Sequence, residues 1–219
     1  VAFGRPDARV LAAVTRVGLP TAATGVIFSA VYVVVGRTAS ALGTPALAAL
    51  GLGFRVESWL YMIGVGFGAA AAAVVGQNLG AGRVDRAERA GWTMLAVAST
   101  PAVAAAALAL LVPEALAGAF TRDAAVIAEA SRYLRIVAVS QLVVCAEVVL
   151  EGALGGAGAT LAPMAASVGI TALRIPLAAW AGPRFGAVGL WWVISATAVA
   201  RGLAMMALWR AGAWKRNRV

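Results

Sequence analysis

The sequence contains no histidine and a single cysteine, Cys145. Without histidine, Ser-His-Asp catalysis is impossible, and any proton coupling has to use carboxylates, since histidine titrates most easily near neutral pH. One cysteine excludes an internal disulfide framework and a thiolate metal cluster. The sequence also lacks a glycine-rich phosphate loop, zinc-ligand spacing and a nucleophile elbow. We therefore expect a protein that is not an enzyme and has no cofactor.

Charged residues are also scarce, at 12% of the chain where soluble domains have about 25%. Hydrophobic residues make up 62%, where soluble domains have roughly 45–50%. A soluble domain of 219 residues has no interior large enough for this much apolar side chain. The net charge of +9 does not indicate a nucleic-acid partner, because the arginines lie in short clusters between apolar runs. This pattern is typical of a protein embedded in a lipid bilayer.

Long apolar runs predict six membrane-spanning helices, since a helix needs about 20 residues to cross the hydrocarbon core. Barrel strands are excluded because they would alternate polar and apolar residues. The predicted fold class is an all-α polytopic membrane protein, with residues 1–219 forming a single membrane domain. The spans are predicted near residues 19–38, 47–76, 93–112, 134–155, 161–181 and 186–208. Residues 113–135 are predicted to form an interfacial helix or helical loop and not a span, because charged and apolar residues alternate there.

The distribution of cations predicts the orientation of these spans. With six spans, one side of the membrane receives the larger set: Arg5, Arg9, Arg16, Arg83, Arg86, Arg89, Arg210, Lys215, Arg216 and Arg218. The other side receives Arg37, Arg122 and Arg184. We expect the first side, with both termini, to be cytoplasmic, and the membrane to be the cell inner membrane or plasma membrane. Four tryptophans near span ends are predicted to be interfacial anchors: Trp191, Trp192, Trp209 and Trp214.

The second span carries two ionisable residues, Arg55 and Glu57. Each costs roughly 2.5–3.5 kcal/mol to insert at a helix centre, so each is expected to face a cavity or a partner. Two-residue spacing places them on different helix faces. The face of Glu57 also holds Gly53, Tyr61, Gly64 and Gly68. Two interpretations stay open: a carboxylate beside an aromatic ring that binds a cation or proton, or a packing face with Glu57 paired to an arginine.

The fourth span carries Glu147 and Glu151, which share a helix face because they are four residues apart. Two neighbouring carboxylates in low dielectric repel each other, which suits proton exchange. Glu151 lies near the predicted cytoplasmic end, where a hydrated or capping role is equally expected. Arg174 and Arg201 lie in the middle of the last two spans. We expect them to form salt bridges with the glutamates.

The segment VGQNLGAGRVDRAERA after the second span resembles the loop motif V-G-Q-x-L-G-A-G of the multidrug and toxic compound extrusion family. Further segments resemble the same family in order: GFRVE, TRDAAVIAEASRYLRI, LEGALGGAGATLAPM, LRIPLAAW and GAVGLWWVISAT. Together they cover nearly the whole chain. The resemblance is to the second of the family's two six-helix lobes.

The resemblance implies a function that the residues alone do not. Family members exchange protons or sodium ions for amphipathic, often cationic compounds, by alternating access of two lobes. The implied partners are a missing N-terminal lobe and small amphipathic substrates, and the implied coupling ion is H⁺ or Na⁺. The loop motif is expected to be a structural turn at the inner surface: Gly76, Gln77, Asn78, Gly80, Gly82 and Arg83.

One departure from the family pattern affects the coupling site. Some members carry a carboxylate on the helix that corresponds to the first span, and residues 19–38 contain none. Glu57 and Glu147 are the remaining candidates on matching helices. The sequence begins without Met, and we expect it to be part of a longer protein. The alternatives are a lipid-linked oligosaccharide flippase of the same superfamily, a membrane scaffold subunit without transport, an intramembrane enzyme that uses carboxylates, and a homodimer of six-span units.

Overall fold

The structure is a computed structural model, and it describes residues 26–216. The described residues form helices joined by short turns, with no β-strand among them. The helices are α1 (Val26–Ala41, its described part), α2 (Thr44–Gly80), α3 (Val84–Leu111), α4 (Pro113–Gly118), α5 (Ala124–Gly156) and α6 (Leu161–Ala211), and a 3-10 turn follows at Ala213–Arg216. The predicted all-α fold class is confirmed.

Helix α6 is two membrane-crossing segments joined at Gly186. This residue has φ 63° and ψ −153°, a conformation that is essentially restricted to glycine. A hydrogen bond shows that the chain reverses at Gly186: the Arg174 Nε donates to the Thr197 Oγ1 at 2.9 Å. In one straight helix, 23 residues would separate these side chains by about 35 Å. The two segments therefore correspond to the predicted fifth and sixth spans.

Four helices are long and apolar enough to cross a bilayer, namely α2, α3, α5 and α6. The reversal at Gly186 makes α6 cross twice, and the described part of α1 is a shorter apolar helix. The predicted first span begins before residue 26, so its first part lies outside the described residues. With alternating directions, the α2–α3 turn, the α5–α6 turn and residues 213–216 share one end of the bundle. We call this the motif end.

The interfacial helix or helical loop predicted over residues 113–135 is divided between two helices in the structure. Helix α4 ends at Gly118, and α5 begins at Ala124, ten residues before the predicted fourth span. The Asp123 carboxylate sets this start, because it accepts hydrogen bonds from the backbone N–H groups of Ala125 at 2.8 Å and Val126 at 3.2 Å. The predicted start was too late because Glu129 and Arg132 are charged, although both lie in the first turns of the long helix.

Helices α2 and α5 contact each other through their backbones. A Cβ atom at Gly152 of α5 would overlap the backbone of Gly68 in α2, and one at Gly156 would overlap the backbone of Ala72. A Cβ atom at Gly76 would lie 3.0 Å from the Gly156 carbonyl oxygen. Small residues at four-residue spacing are the usual means of close helix packing in membranes. This contact places α5 at the centre of the bundle.

The turn between α2 and α3 is a Schellman motif. The backbone N–H of Arg83 donates to the Asn78 carbonyl at 2.8 Å, and that of Gly82 donates to the Leu79 carbonyl at 2.9 Å. Gly82 has φ 71°, the left-handed conformation that this motif requires. The same pattern ends α5, with Gly158 at φ 70°. The sequence motif therefore forms a helix-ending turn.

Three of the four tryptophans predicted to be interfacial anchors are buried: Trp191, Trp209 and Trp214. Trp209 and Trp214 stack with ring centroids 4.1 Å apart, and a Cβ atom at Gly91 would overlap the Trp209 ring. The Trp214 indole N–H also donates to the Trp209 carbonyl at 2.9 Å. Trp209 and Trp214 therefore pack the motif end of the bundle. Of the four tryptophans, Trp192 is the exposed one.

We expect Gly152→Ala to destabilise the protein by about 1–3 kcal/mol or more, because the added methyl group meets the backbone of α2. Gly155→Ala is the matched control, since a Cβ atom at Gly155 meets no atom within 4 Å. Both changes improve helix propensity equally. Thermal unfolding in detergent should separate the two variants, and equal midpoints would contradict the close contact.

Candidate functional site

Glu57 of α2 is hydrogen-bonded to a tyrosine of α5. The Tyr133 hydroxyl donates to the Glu57 Oε1 at 2.6 Å. Tyr133 is fully buried, and it fits against α2 because Gly53 has no side chain; a Cβ atom there would overlap the phenol ring. No Arg or Lys of the described residues lies within ion-pair distance of Glu57. Glu57 therefore has no ion pair among the described residues, and the charges of Arg174 and Arg201 act on it from a greater distance.

Tyr133 is in turn supported by Trp191 and Glu129. The Tyr133 and Trp191 rings meet edge to face, with centroids 4.8 Å apart. The Trp191 indole N–H donates to the Glu129 Oε1 at 2.8 Å, and Arg132 lies 3.4 Å from the other oxygen of that carboxylate. Glu129 and Tyr133 lie one turn apart on the same face of α5. This set of contacts fixes the phenol that holds Glu57.

Arg174 is buried, with 3% of its surface exposed, and it binds neutral groups. Its Nε donates to the Thr197 Oγ1 at 2.9 Å, and its NH2 donates to the Ile194 carbonyl at 3.3 Å. The expected salt bridge between Arg174 and a glutamate is not formed. The second segment of α6 therefore holds this cation through its hydroxyl and backbone groups.

Arg201 and Glu147 form a buried ion pair, with the Arg201 NH1 2.9 Å from the Glu147 Oε1. Their side chains are 13% and 6% exposed. The Arg201 guanidinium also lies over the Phe28 ring of α1, 5.6 Å from its centroid. The expected salt bridge is thus present for this arginine. Glu151, one turn further along α5, is exposed and forms no ion pair with a described residue.

The two candidate carboxylates lie at different depths of the bundle. Gly64 meets Val148 and Gly68 meets Gly152, so Glu57 is level with about Gln141 of α5, and Glu147 lies six residues further along, or about 9 Å along the helix axis. Arg174 lies on the Glu57 side of this pair of levels, because its partner Ile194 is next to Ser195, which donates to the Ile136 carbonyl of α5 at 3.2 Å. The polar groups therefore form a series across the apolar interior.

The remaining residues predicted from the second span do not join this series. Arg55 is exposed, and Tyr61 is 50% exposed. Gly53, Gly64 and Gly68 pack against α5, so the glycine-lined packing face is present. The predicted arginine partner of Glu57 is replaced by Tyr133, which the sequence interpretation missed. The sequence feature that could have indicated Tyr133 is its position one helical turn after Glu129. It was overlooked because both residues lie in the segment 113–135.

The enclosed space inside this lobe is small. A cavity of about 20 Å³ is lined by Tyr61, Pro101, Gln141 and Cys145 among others. It has room for about one water molecule. No group of three or more metal-ligating side chains occurs among residues 26–216. This cavity is therefore too small for an organic substrate.

This chain is similar in sequence to a known protein family and to several of its members. The sequence profile of the MatE family matches residues 20–180. Multidrug resistance protein NorM of Burkholderia vietnamiensis is 31% identical over 218 residues, which cover 96% of this chain and 47% of that protein. Probable multidrug resistance protein NorM of Brucella suis is 31% identical over 227 residues, with 98% and 46% covered. The chain spans about half the length of the curated relatives it matches.

Solved structures show the same fold. A MOP superfamily transporter from Pyrococcus furiosus superposes with a TM-score of 0.81 at 22% identity, covering 94% of this chain and 46% of that one. An outward-facing multidrug resistance MATE family transporter superposes with a TM-score of 0.79 at 22% identity, covering 88% and 43%. The chain therefore has the fold of about half of these proteins.

We expect Arg201→Gln to destabilise the protein by about 3–5 kcal/mol, because it leaves the Glu147 carboxylate buried without its cation. Adding Glu147→Gln should recover part of this loss. The exposed pair Arg135–Glu114 is the control, and its removal should change stability by less than about 1 kcal/mol. Unfolding free energies of the single and double variants measure the coupling, and additive effects would contradict the buried pair.

Proposed function

This chain belongs to the multidrug and toxic compound extrusion family, and from that premise we propose that it is the second lobe of a cation-coupled antiporter. In this proposal the protein exports amphipathic, often cationic compounds by alternating access, in exchange for protons or sodium ions. The observation that carries the proposal is the Glu57 carboxylate, hydrogen-bonded to Tyr133 within a membrane helix and without an ion-pair partner among the described residues.

The chemistry of Glu57 suits reversible cation binding. A carboxylate inside a membrane span is costly unless it is protonated, paired or hydrated, so its state depends on whether a cation is bound. Glu147 already has Arg201 as a partner, and Glu151 is exposed, so we assign the binding of H⁺ or Na⁺ to Glu57. Binding at Glu57 would change the relative stability of the outward-open and inward-open states.

The substrate cavity in this proposal lies between this lobe and a second, N-terminal lobe. The relatives are about twice as long as this chain, and the cavity beside Tyr61 and Cys145 is too small for an organic substrate. On α2, Trp59, Tyr61 and Met62 are exposed near the level of Glu57. These side chains supply apolar and aromatic contacts suited to amphipathic cations.

We further propose that the motif end faces the cytoplasm. Its described cations are Arg83, Arg86, Arg89, Arg210, Lys215 and Arg216. Two carboxylates flank the start of α3 there, Asp85 and Glu88, so the cations remain in excess. The positive-inside rule then places this end in the cytoplasm of a cell whose inner or plasma membrane holds the protein.

The state of the buried arginines disfavours the flippase alternative. A pyrophosphate-linked substrate needs free cations, but Arg174 is bonded to Thr197 and Ile194, and Arg201 is paired with Glu147. Restoration of envelope synthesis in a flippase-deficient strain would support that alternative. A scaffold without transport would instead tolerate loss of the Glu57 carboxylate.

We expect Glu57→Gln in the full-length protein to abolish drug efflux, because glutamine cannot take up and release a cation. The measurement is efflux of a fluorescent cationic dye from cells, with membrane expression checked by blotting. Glu114→Gln is the control, since Glu114 lies in an exposed ion pair at the other end of the bundle from the motif end. Normal efflux by the Glu57→Gln protein would remove Glu57 from the coupling mechanism.

A further inference from the structure

A groove at the motif end lies between the last turns of α2 and the first turns of α3. It has a volume of about 320 Å³ and is open at the surface. Its lining includes Val74 and Asn78 of α2, and Arg86, Arg89, Thr93 and Met94 of α3. No carboxylate of residues 26–216 lines it. The groove therefore combines two guanidinium groups with an apolar wall.

The two arginines of the groove have no described anionic partner. Neither Arg86 nor Arg89 forms an ion pair with a residue of the 26–216 segment. Of the nearby carboxylates, Glu88 is bound to Lys215 at 2.7 Å, and Asp85 is exposed outside the groove lining. Both guanidinium groups are exposed, so their charges are available to a ligand.

The other lining groups match a molecule that is polar at one end. Thr93 is exposed and offers a hydroxyl group, and Asn78 retains amide capacity beyond the bond from its Nδ2 to the Val74 carbonyl at 2.8 Å. Val74 and Met94 supply apolar surface one turn deeper along each helix. On α3 the exposed apolar surface continues to Val97, away from the arginines.

We propose that this groove binds an anionic phospholipid from the leaflet at the motif end. Its phosphate group is held by Arg86 and Arg89, since guanidinium groups bind phosphate oxygens with two parallel hydrogen bonds. Asn78 and Thr93 bind the polar headgroup, and the start of an acyl chain packs on Val74 and Met94. Basic pockets between membrane helices are typical sites for such headgroups.

The bound lipid also has a structural consequence. The groove is formed by the two helices that the Gly82 turn joins, and α2 is the helix that contacts α5 through glycine. A lipid that bridges α2 and α3 therefore stabilises the folded lobe. This inference does not depend on drug transport, because it concerns only the fold and the lipid around it.

The test uses the full-length protein in nanodiscs made either of phosphatidylcholine alone or of phosphatidylcholine mixed with phosphatidylglycerol. We expect phosphatidylglycerol to raise the thermal unfolding midpoint and to be retained over phosphatidylcholine in native mass spectrometry. The double variant Arg86→Gln/Arg89→Gln should lose about tenfold or more of this preference, since each near-surface cation contributes to lipid binding.

A charge-matched control separates the groove from general attraction to an anionic surface. Arg210→Gln/Arg216→Gln removes two exposed cations from the same end without changing the groove, so it should keep the preference. Equal losses in the two double variants would overturn the site and leave only surface charge. Equal stabilisation by soluble glycerol phosphate would overturn the acyl-chain contact, and no preference for phosphatidylglycerol would overturn the proposal as a whole.

Discussion

The backbone contact between α2 and α5 determines where the other helices and the polar groups of this lobe lie. In lipid, helices gain little from burying apolar side chains, so close packing and interhelical hydrogen bonds hold a bundle together. Gly68 and Gly152 allow the two backbones to touch, and no larger residue fits at either position. With α5 fixed against α2, Tyr133 lies over Gly53 and reaches Glu57. Further along the same helix, before the motif end, Glu147 meets Arg201.

The ionisable side chains inside the lobe illustrate three ways of accommodating charge in an apolar interior. Arg201 and Glu147 neutralise each other, and Arg174 is held by a hydroxyl and a carbonyl group of the facing helix segment. Glu57 accepts a hydrogen bond from a tyrosine and has no ion pair with a described residue, while the charges of Arg174 and Arg201 act on it from a greater distance. In the proposed mechanism, this third arrangement is the one that binds a cation. Both glutamates lie on membrane helices, so the difference between them is one of partners: Glu147 binds Arg201, and Glu57 binds Tyr133.

Much of the fold follows from patterns that are local in sequence. Apolar runs placed the spans, and Gly82 and Gly158 follow helix ends, where a left-handed residue is needed. The reversal at Gly186 agrees with the predicted boundary between the last two spans. The start of α5 was misplaced because Glu129 and Arg132 looked like interface residues. Their true position depends on Asp123 as the cap and on Trp191 as the partner of Glu129. The tryptophans were misassigned for a related reason, since composition near a span end does not show whether an indole faces lipid or another helix.

The sequence by itself determined the membrane environment, the rough limits of the described long helices, the turn at the family motif and which carboxylates lie on those helices. These properties depend on hydropathy and backbone conformation, which are set by neighbouring residues. Only the tertiary structure decided that Glu57 binds Tyr133, that Arg201 rather than Arg174 pairs with Glu147, and that Arg86 and Arg89 share a groove with Val74 and Met94. Such pairings join residues far apart in the chain. They depend on helix rotation and depth, which are fixed when glycine contacts bring α2 and α5 together.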